Sequence, residues 1–328
     1  MKRWIQPLRA ALLTAGVIGA CLPGAAQAAA PYPNRPITLL VPYPAGASTD
    51  SAARQLAPEL SKQLGKNVIV ENVGGAGGAL AVQRLLRSPA DGYTLLLGTN
   101  NETVLVPLVN RAIGYQTAEL QAVGKVGSTA SVLVGKKDLD VDTIDALVAK
   151  LKKTPNSLSM GHPGVGTFQH LIAASIAQQA GVEWTHIPYK GASPLLTDLL
   201  GGQIELAVIT LPSAAPHLAN GRLKSLGLIR DARDPQYPEL ATINEGTALK
   251  AVHAELWLGL FGPKDLAKDV TDKISAALQQ VLAQQTFRDA QLKIGFNTPE
   301  TTSAKAFAAY LAQQVGMFKE IAASVKLD

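Results

Sequence analysis

The chain is almost without cysteine. Cys21 is the single one in 328 residues, too few for a disulfide framework or a thiolate metal site. Aromatic residues are scarce at 5% while Ala, Leu, Val and Gly are plentiful, a composition that suits compact α/β layers. There is no Gly-x-Ser-x-Gly elbow, no His-Glu-x-x-His helix and no catalytic cysteine, so the competing class, a secreted hydrolase, is disfavoured. There is also no internal repeat, no low-complexity segment and no linker that would split the chain once. The length allows two domains of ordinary size, each with a substantial core.

The one long apolar run lies at the N-terminus. Lys2, Arg3 and Arg9 precede residues 10–22, and the small-residue pattern Ala26-Gln27-Ala28 comes after it, which is the order of a secretory signal and its cleavage site. Removal of residues 1–28 and export to the periplasm are therefore expected. A lipoprotein site at Ile18-Gly19-Ala20-Cys21 is the rival reading, but the residues after Cys21 continue the signal rather than forming a tether. Cleavage would leave 27 Lys and Arg against 25 Asp and Glu, a formal charge of +2 instead of +5. So near-neutral a surface gives no support to a nucleic-acid partner. No other run is long and uninterrupted enough to span a bilayer.

Two stretches share one grammar. Leu39, Leu40 and Val41 end an apolar strand, Pro42 to Gly46 stop it, and Ser48, Thr49 and Asp50 are helix-start residues before Ala52, Ala53 and Leu56. More than a hundred residues on, Ser159 begins a short apolar piece, a Gly/Pro turn comes next, and Thr167 opens a helix through Leu171, Ile172 and Ile176. The first N–H groups of such helices lack internal partners and carry the positive end of the helix dipole, so they accept carboxylate or phosphate. Each loop alone is more often a capped turn than a site. Their pairing suggests two domains facing one small ligand.

Around them the pattern alternates. Strands are expected at 37–41, 68–71, 93–98, 131–134, 158–160, 205–210 and 223–229, with helices at 51–65, 79–88, 141–152, 168–180, 194–200, 264–284 and 304–324. Short connections between alternating elements argue for mostly parallel sheets with right-handed crossovers. The glycine run at 74–78 lacks the Gly-Lys-Ser/Thr ending of a P-loop and the spacing of a dinucleotide fingerprint; its plainer use is close approach to a neighbouring segment or ligand.

Several side chains have two readings. Ser48 and Thr49 can donate to a carboxylate or cap their own helix. Asp50 would repel an anion and is structural, or else an amine acceptor. His162 and His170 are not spaced as ligands on one helical turn, and no thiol or acidic cluster joins them, so no metal is expected; His162 can still reach a ligand from its loop. Lys190 reads as a solvated turn residue. Tyr43, Phe168 and Tyr189 can wall a ligand, although burial in the core is commoner for such residues. Thr99, Asn100 and Asn101 come after the third strand, at the end where open α/β sheets place ligands, and are candidates for the ligand's distal end.

The ordered set of segments resembles the receptors of tripartite tricarboxylate transporters, the Bug or TctC family. The resemblance is carried by Val41-Pro42-Tyr43-Pro44-Ala45-Gly46 with Thr49-Asp50, by Val70-Glu71-Asn72 with Gly75 to Gly78, by Asp91-Gly92-Tyr93-Thr94, by Gly164 to Thr167, by His186-Ile187-Pro188-Tyr189-Lys190-Gly191, by Asp198 to Gly202, by Trp257 with Gly259, and by Thr298-Pro299-Glu300. It implies a two-lobed type II periplasmic-binding fold with a two-strand hinge, the lobes being residues 29–128 with 253–328, and residues 129–252. It also implies a cleft that grips one carboxylate between the two loops, largely through backbone N–H groups. With the candidates read from the residues themselves, the expected ligand site is Tyr43, Ala45, Gly46, Ala47, Ser48, Thr49, Asp50, Asn72, Thr99, Asn100, Gly161, His162, Gly164, Val165, Gly166, Thr167 and Tyr189, with no catalytic residue, cofactor or metal. This sequence departs from the family at Ala47 and Leu195, where a glycine and a small residue are usual. The implied ligand is a small mono- or dicarboxylate, amino acids and aromatic acids included. The implied partners are the permease subunits of such a transporter or a sensor kinase, and the chain is expected to be a monomer.

Overall fold

The computed structural model describes residues 31–324 other than 235, 250, 251 and 253. The expected signal segment, and residue 253 at the expected lobe boundary, lie outside the described residues. The chain runs β1 (Ile37–Val41), α1 (Ser48–Leu64), β2 (Val68–Asn72), α2 (Ala79–Leu86), β3 (Thr94–Thr99), a π-helical turn (Asn101–Leu105), α3 (Val106–Val109), β4 (Leu120–Thr129) and β5 (Ser131–Lys136). It continues with α4 (Ile144–Lys153), β6 (Ser159–His162), α5 (Phe168–Ala180), β7 (Thr185–Pro188), α6 (Ala192–Leu200), β8 (Leu206–Thr210), α7 (Leu211–Ala219) and β9 (Leu223–Ile229). It ends with β10 (Leu256–Pro263), α8 (Lys268–Leu282), α9 (Gln285–Lys293) and α10 (Ala304–Ser324).

These strands make two five-stranded sheets of one design, β2-β1-β3-β10-β4 and β7-β6-β8-β5-β9. In each, the first three strands are parallel and the fourth is antiparallel to both its neighbours. The expected α/β layers are present, but as mixed sheets. The reversed strand is in each case the one delivered from the other sheet: β5 follows β4 after Ala130 alone, and β10 follows β9 on the way back. Strands covered by helices on both faces read as unbroken apolar runs. In β1, accordingly, Leu39, Leu40 and Val41 are all fully buried.

Three local outcomes differ from the sequence pattern. The segment expected as one helix over 264–284 begins only at Lys268, because Pro263 closes β10 and Asp265 has a positive φ of 65°. A further helix, α9, follows after Gln284. Helix α7 runs against the pattern, since Pro212 and Pro216 lie within it; Pro212 falls in its first turn, where a missing N–H costs nothing. Helix α1 starts three residues earlier than the pattern indicates, so that Ser48, Thr49 and Asp50 form its first turn.

The long helix α10 packs back on the first sheet through aromatic contacts. The Trp257 and Phe307 rings meet edge to face at 5.7 Å, and Trp257 Nε1 donates to Gln314 Oε1 at 3.1 Å. Gly259 on β10 makes room for this cluster, because a Cβ there would stand 2.2 Å from Phe307 Cζ. Gly259→Ala should therefore destabilise the fold by about 1–3 kcal/mol through overpacking, read as a lower midpoint in urea or thermal unfolding. An unchanged midpoint would mean that α10 docks more loosely than these ring contacts require.

Candidate functional site

The loop after β1 is folded by one carboxylate. Asp50 is 2% exposed and accepts from the Gly46 N–H at 2.9 Å, from Arg54 Nε at 2.9 Å and from Asn72 Nδ2 at 2.8 Å. Asn72 Nδ2 also donates to the Tyr43 carbonyl at 3.0 Å, and Asn72 Oδ1 accepts from Arg54 at 3.1 Å. Burial alone would raise the Asp50 pKa, but the bonds from Arg54, Gly46 and Asn72, with the Arg54 charge, hold it below the usual carboxylate range. Asp50 and Asn72 thus direct their side chains into the loop itself. No side chain caps α1 at Ala47, so the N–H groups of its first turn, at Ser48 and Thr49, remain for another acceptor.

The second loop, between β6 and α5, is held in the same spirit with different residues. Thr167 caps α5: its Oγ1 accepts from the His170 N–H at 3.4 Å and donates to the Gly164 carbonyl at 2.8 Å. His162 Nδ1 donates to that same carbonyl at 2.9 Å, and the Gly166 N–H donates to His170 Nδ1 at 3.1 Å. Gly166 has φ +74°, and a Cβ on it would lie 2.7 Å from Val109 Cγ2 on α3. Both the left-handed backbone and the close approach require glycine there. Val165 at the tip is 60% exposed.

The two loops meet through side chains of the turn after β3. Asn101 Oδ1 accepts from the Phe168 N–H, the first amide of α5, at 2.7 Å. Asn101 Nδ2 lies 3.4 Å from Tyr43 Oη on the first loop. Tyr43 Oη in turn donates to Glu102 Oε2 at 2.8 Å and lies 3.1 Å from Thr99 Oγ1. Glu102 is fully buried and also accepts from the Thr99 hydroxyl at 2.7 Å and from the Thr99 N–H. Burial pushes the Glu102 carboxyl up to about 7, against the lowering effect of the Thr99 and Tyr43 bonds. The glycine run serves this group, since a Cβ on Gly78 would stand 3.0 Å from Glu102 Cβ and 3.1 Å from Pro42 Cβ.

Of the residues singled out in the sequence, Tyr43, Thr99, Gly166 and Thr167 come together around this junction, and Ala45 to Thr49 line its first loop. Asn100 is buried beside it, with Nδ2 donating to the Glu255 carbonyl at 3.1 Å and Oδ1 without a partner. Tyr189 bonds its hydroxyl to Asp198 at 2.8 Å, and its ring borders Gly161, where a Cβ would stand 3.4 Å from Tyr189 Cε2. Phe168 is core, edge to face with Phe318 at 6.0 Å. Gly161 packs tightly, a Cβ there standing 2.4 Å from Ile204 and 3.2 Å from Leu195. Glu102 escapes a reading of the sequence, and so does His186, whose ring lies 4.9 Å from His170 and 5.6 Å from His162. The ligating atoms of the three histidines all lie within 4.8 Å of one another. His162 and His170 stack at 4.0 Å and 17°, and the Nδ1 atom of each is engaged by the loop backbone, at Gly164 and Gly166.

Glu102 carries a pH signature. The folded chain keeps its proton up to about pH 7, whereas the unfolded chain releases it near the ordinary value of 4.5. Protons therefore favour folding in that window, and the contribution fades as pH rises through it. Glu102→Gln should flatten the decline of the melting temperature between pH 4.5 and 7. Equal slopes for wild type and variant would contradict the burial of an uncharged carboxyl.

The sequence matches the model of the tripartite tricarboxylate transporter family receptor, TctC, over residues 52–327. Protein BugT of Bordetella pertussis is 30% identical over 332 residues, covering 99% of each chain. Among solved structures, the periplasmic binding protein BugD is 30% identical with a TM-score of 0.80, over 90% of this chain and all of that one. An R. palustris protein solved with adipate is 26% identical with a TM-score of 0.82, over 89% of this chain and 98% of that one. Family model, full-length relative and two-sheet architecture agree, and the chain belongs to the TctC family of tripartite tricarboxylate transporter receptors, as a solute-binding receptor and not an enzyme.

Proposed function

We propose that this receptor works in the periplasm, captures a small organic acid by its carboxylate between residues 43–50 and residues 161–167, and delivers it to the permease of a tripartite tricarboxylate transporter. The observation that carries this reading is the Asn101 side chain. Its carbonyl oxygen already occupies the first amide of α5 at 2.7 Å, which marks that helix start as an oxygen-accepting seat between the loops. A ligand carboxylate would take the place of this oxygen, its second oxygen reaching the uncapped first turn of α1. Among structural neighbours, the R. palustris protein solved with adipate supports an organic acid.

In this reading the two lobes are residues 29–128 with 253–328, and residues 129–252. They turn about Ala130 and the return between β9 and β10, closing over the ligand. A carboxylate needs no formal cation here. Arg54, beside the first loop, is engaged by Asp50 and Asn72, which leaves helix N-termini as the source of positive potential.

A thermal-shift screen of the mature chain against mono-, di- and tricarboxylates, acidic amino acids, amides and sugars should give rises in melting temperature confined to carboxylates, because a ligand that binds only the folded form stabilises it by mass action. Gly166→Val should weaken the best acid at least tenfold, about 1.4 kcal/mol, through blocked approach, with the circular dichroism spectrum reporting an intact fold. Wild-type affinity in that variant, or hits among sugars alone, would place the ligand elsewhere.

A further inference from the structure

The parallel pairing of β6 with β7 sets Met160 opposite His186 and His162 opposite Pro188. Side chains two apart along a strand share a face, so His162 and His186 emerge on the same side of the sheet. His170, in the first turn of α5, closes over them and stacks on His162 at 4.0 Å. Three imidazoles gathered under one loop are more than space-filling. Two of them hold that loop's backbone from below, one by donating to the Gly164 carbonyl and one by accepting from the Gly166 N–H.

These bonds fix the protonation of both rings. A carbonyl only accepts, so His162 carries its proton on Nδ1. An amide N–H only donates, so His170 Nδ1 presents a lone pair and is unprotonated. Adding a proton to His170 would set an N–H against the Gly166 N–H and release the turn that keeps glycine at φ +74°. His162 would keep its bond if protonated, but as a cation stacked on a neighbouring ring.

We propose that His170, with His162 stacked on it, is a positioning residue for ligand capture: its neutral imidazole holds the Gly164 to Gly166 backbone in the carboxylate-binding shape, and its protonation lets that shape go. The inference rests on the carboxylate site proposed above. Burial, with the neighbouring imidazoles, pushes His162 down to about 4 and His170 to about 3, and lowers His186, so the cluster is neutral when the receptor works near pH 7. The charges that bear on the pair come from His162 and His186 themselves. On the packed elements around them, Tyr189 beyond β7 is bonded to Asp198 of α6, and Glu102 lies across the cleft behind Tyr43 and Asn101.

The test compares His170→Asn, whose side-chain carbonyl can replace Nδ1 as acceptor without titrating, with His170→Leu, which cannot accept. Affinity for the acid giving the largest thermal shift is measured by calorimetry at pH 7.5 and pH 3.0, and protection of the Gly166 amide is followed by hydrogen exchange at neutral pH. The expected result is that His170→Leu loses at least tenfold in affinity at pH 7.5 and exposes the Gly166 amide, while His170→Asn stays within about threefold of wild type. The ratio of wild-type to His170→Asn dissociation constants should rise about twofold at pH 3.0, where roughly half of the His170 rings carry the second proton, a comparison in which the ligand's own protonation cancels. Equal affinity and equal Gly166 protection in His170→Leu would overturn the inference. If wild type binds no carboxylate at all, the site reading fails, and an unprotected Gly166 amide in wild type would remove the loop-holding role as well.

Discussion

A helix that begins where a strand ends leaves its first amide groups without partners, and the structure depends on where those groups are sent. Here it happens at the starts of α1 and α5, on the two sheets, and the connecting loops are shaped so that both helix starts stay available to an acceptor from outside their own turn. At α5 that acceptor is the Asn101 carbonyl, contributed by the turn after β3. The hydrogen bond at Phe168 is short in distance but long in sequence, and it joins the loops of the two sheets at the point proposed for the ligand.

The surroundings keep this point free of net negative charge. Asp50, the carboxylate nearest the start of α1, is neutralised by Arg54 and by amide donors. Glu102, behind Tyr43, is buried in surroundings that favour its protonated form close to neutrality, and the three histidines are uncharged there. A site that relies on helix N-termini rather than on lysine or arginine has a weak attraction for anions, and a nearby unpaired carboxylate would cancel it. Pairing or protonating each such group is the electrostatic condition for the carboxylate binding proposed above.

Much of this is legible in the sequence wherever the determinants are local. The Pro/Gly turns at 42–46 and 161–166, with helix-start residues after them, announce both loops, and apolar runs such as Leu39 to Val41 announce strands buried on both faces. The sequence misleads where context overrides propensity. Pro212 and Pro216 argue against α7, although Pro212 sits in a first turn that tolerates it. Pro263 and Asp265 delay α8, and the helical pattern across 264–284 does not show that. Glu102 is invisible because its importance lies in being enclosed by Tyr43, Thr99 and Gly78. The histidine cluster reads as two unrelated residues because the third arrives through the β6 to β7 register, which no spacing along the chain displays.

A carboxylate seated between the two helix starts should be visible in the amide proton and nitrogen NMR shifts of Phe168, Gln169, Ser48 and Thr49, on saturation with an acid that raises the melting temperature. Replacing the Asn101 oxygen by a charged one, and giving the first turn of α1 an acceptor, should move all four resonances downfield together. Unmoved resonances at these four positions, with shifts concentrated on another surface, would contradict a carboxylate held there.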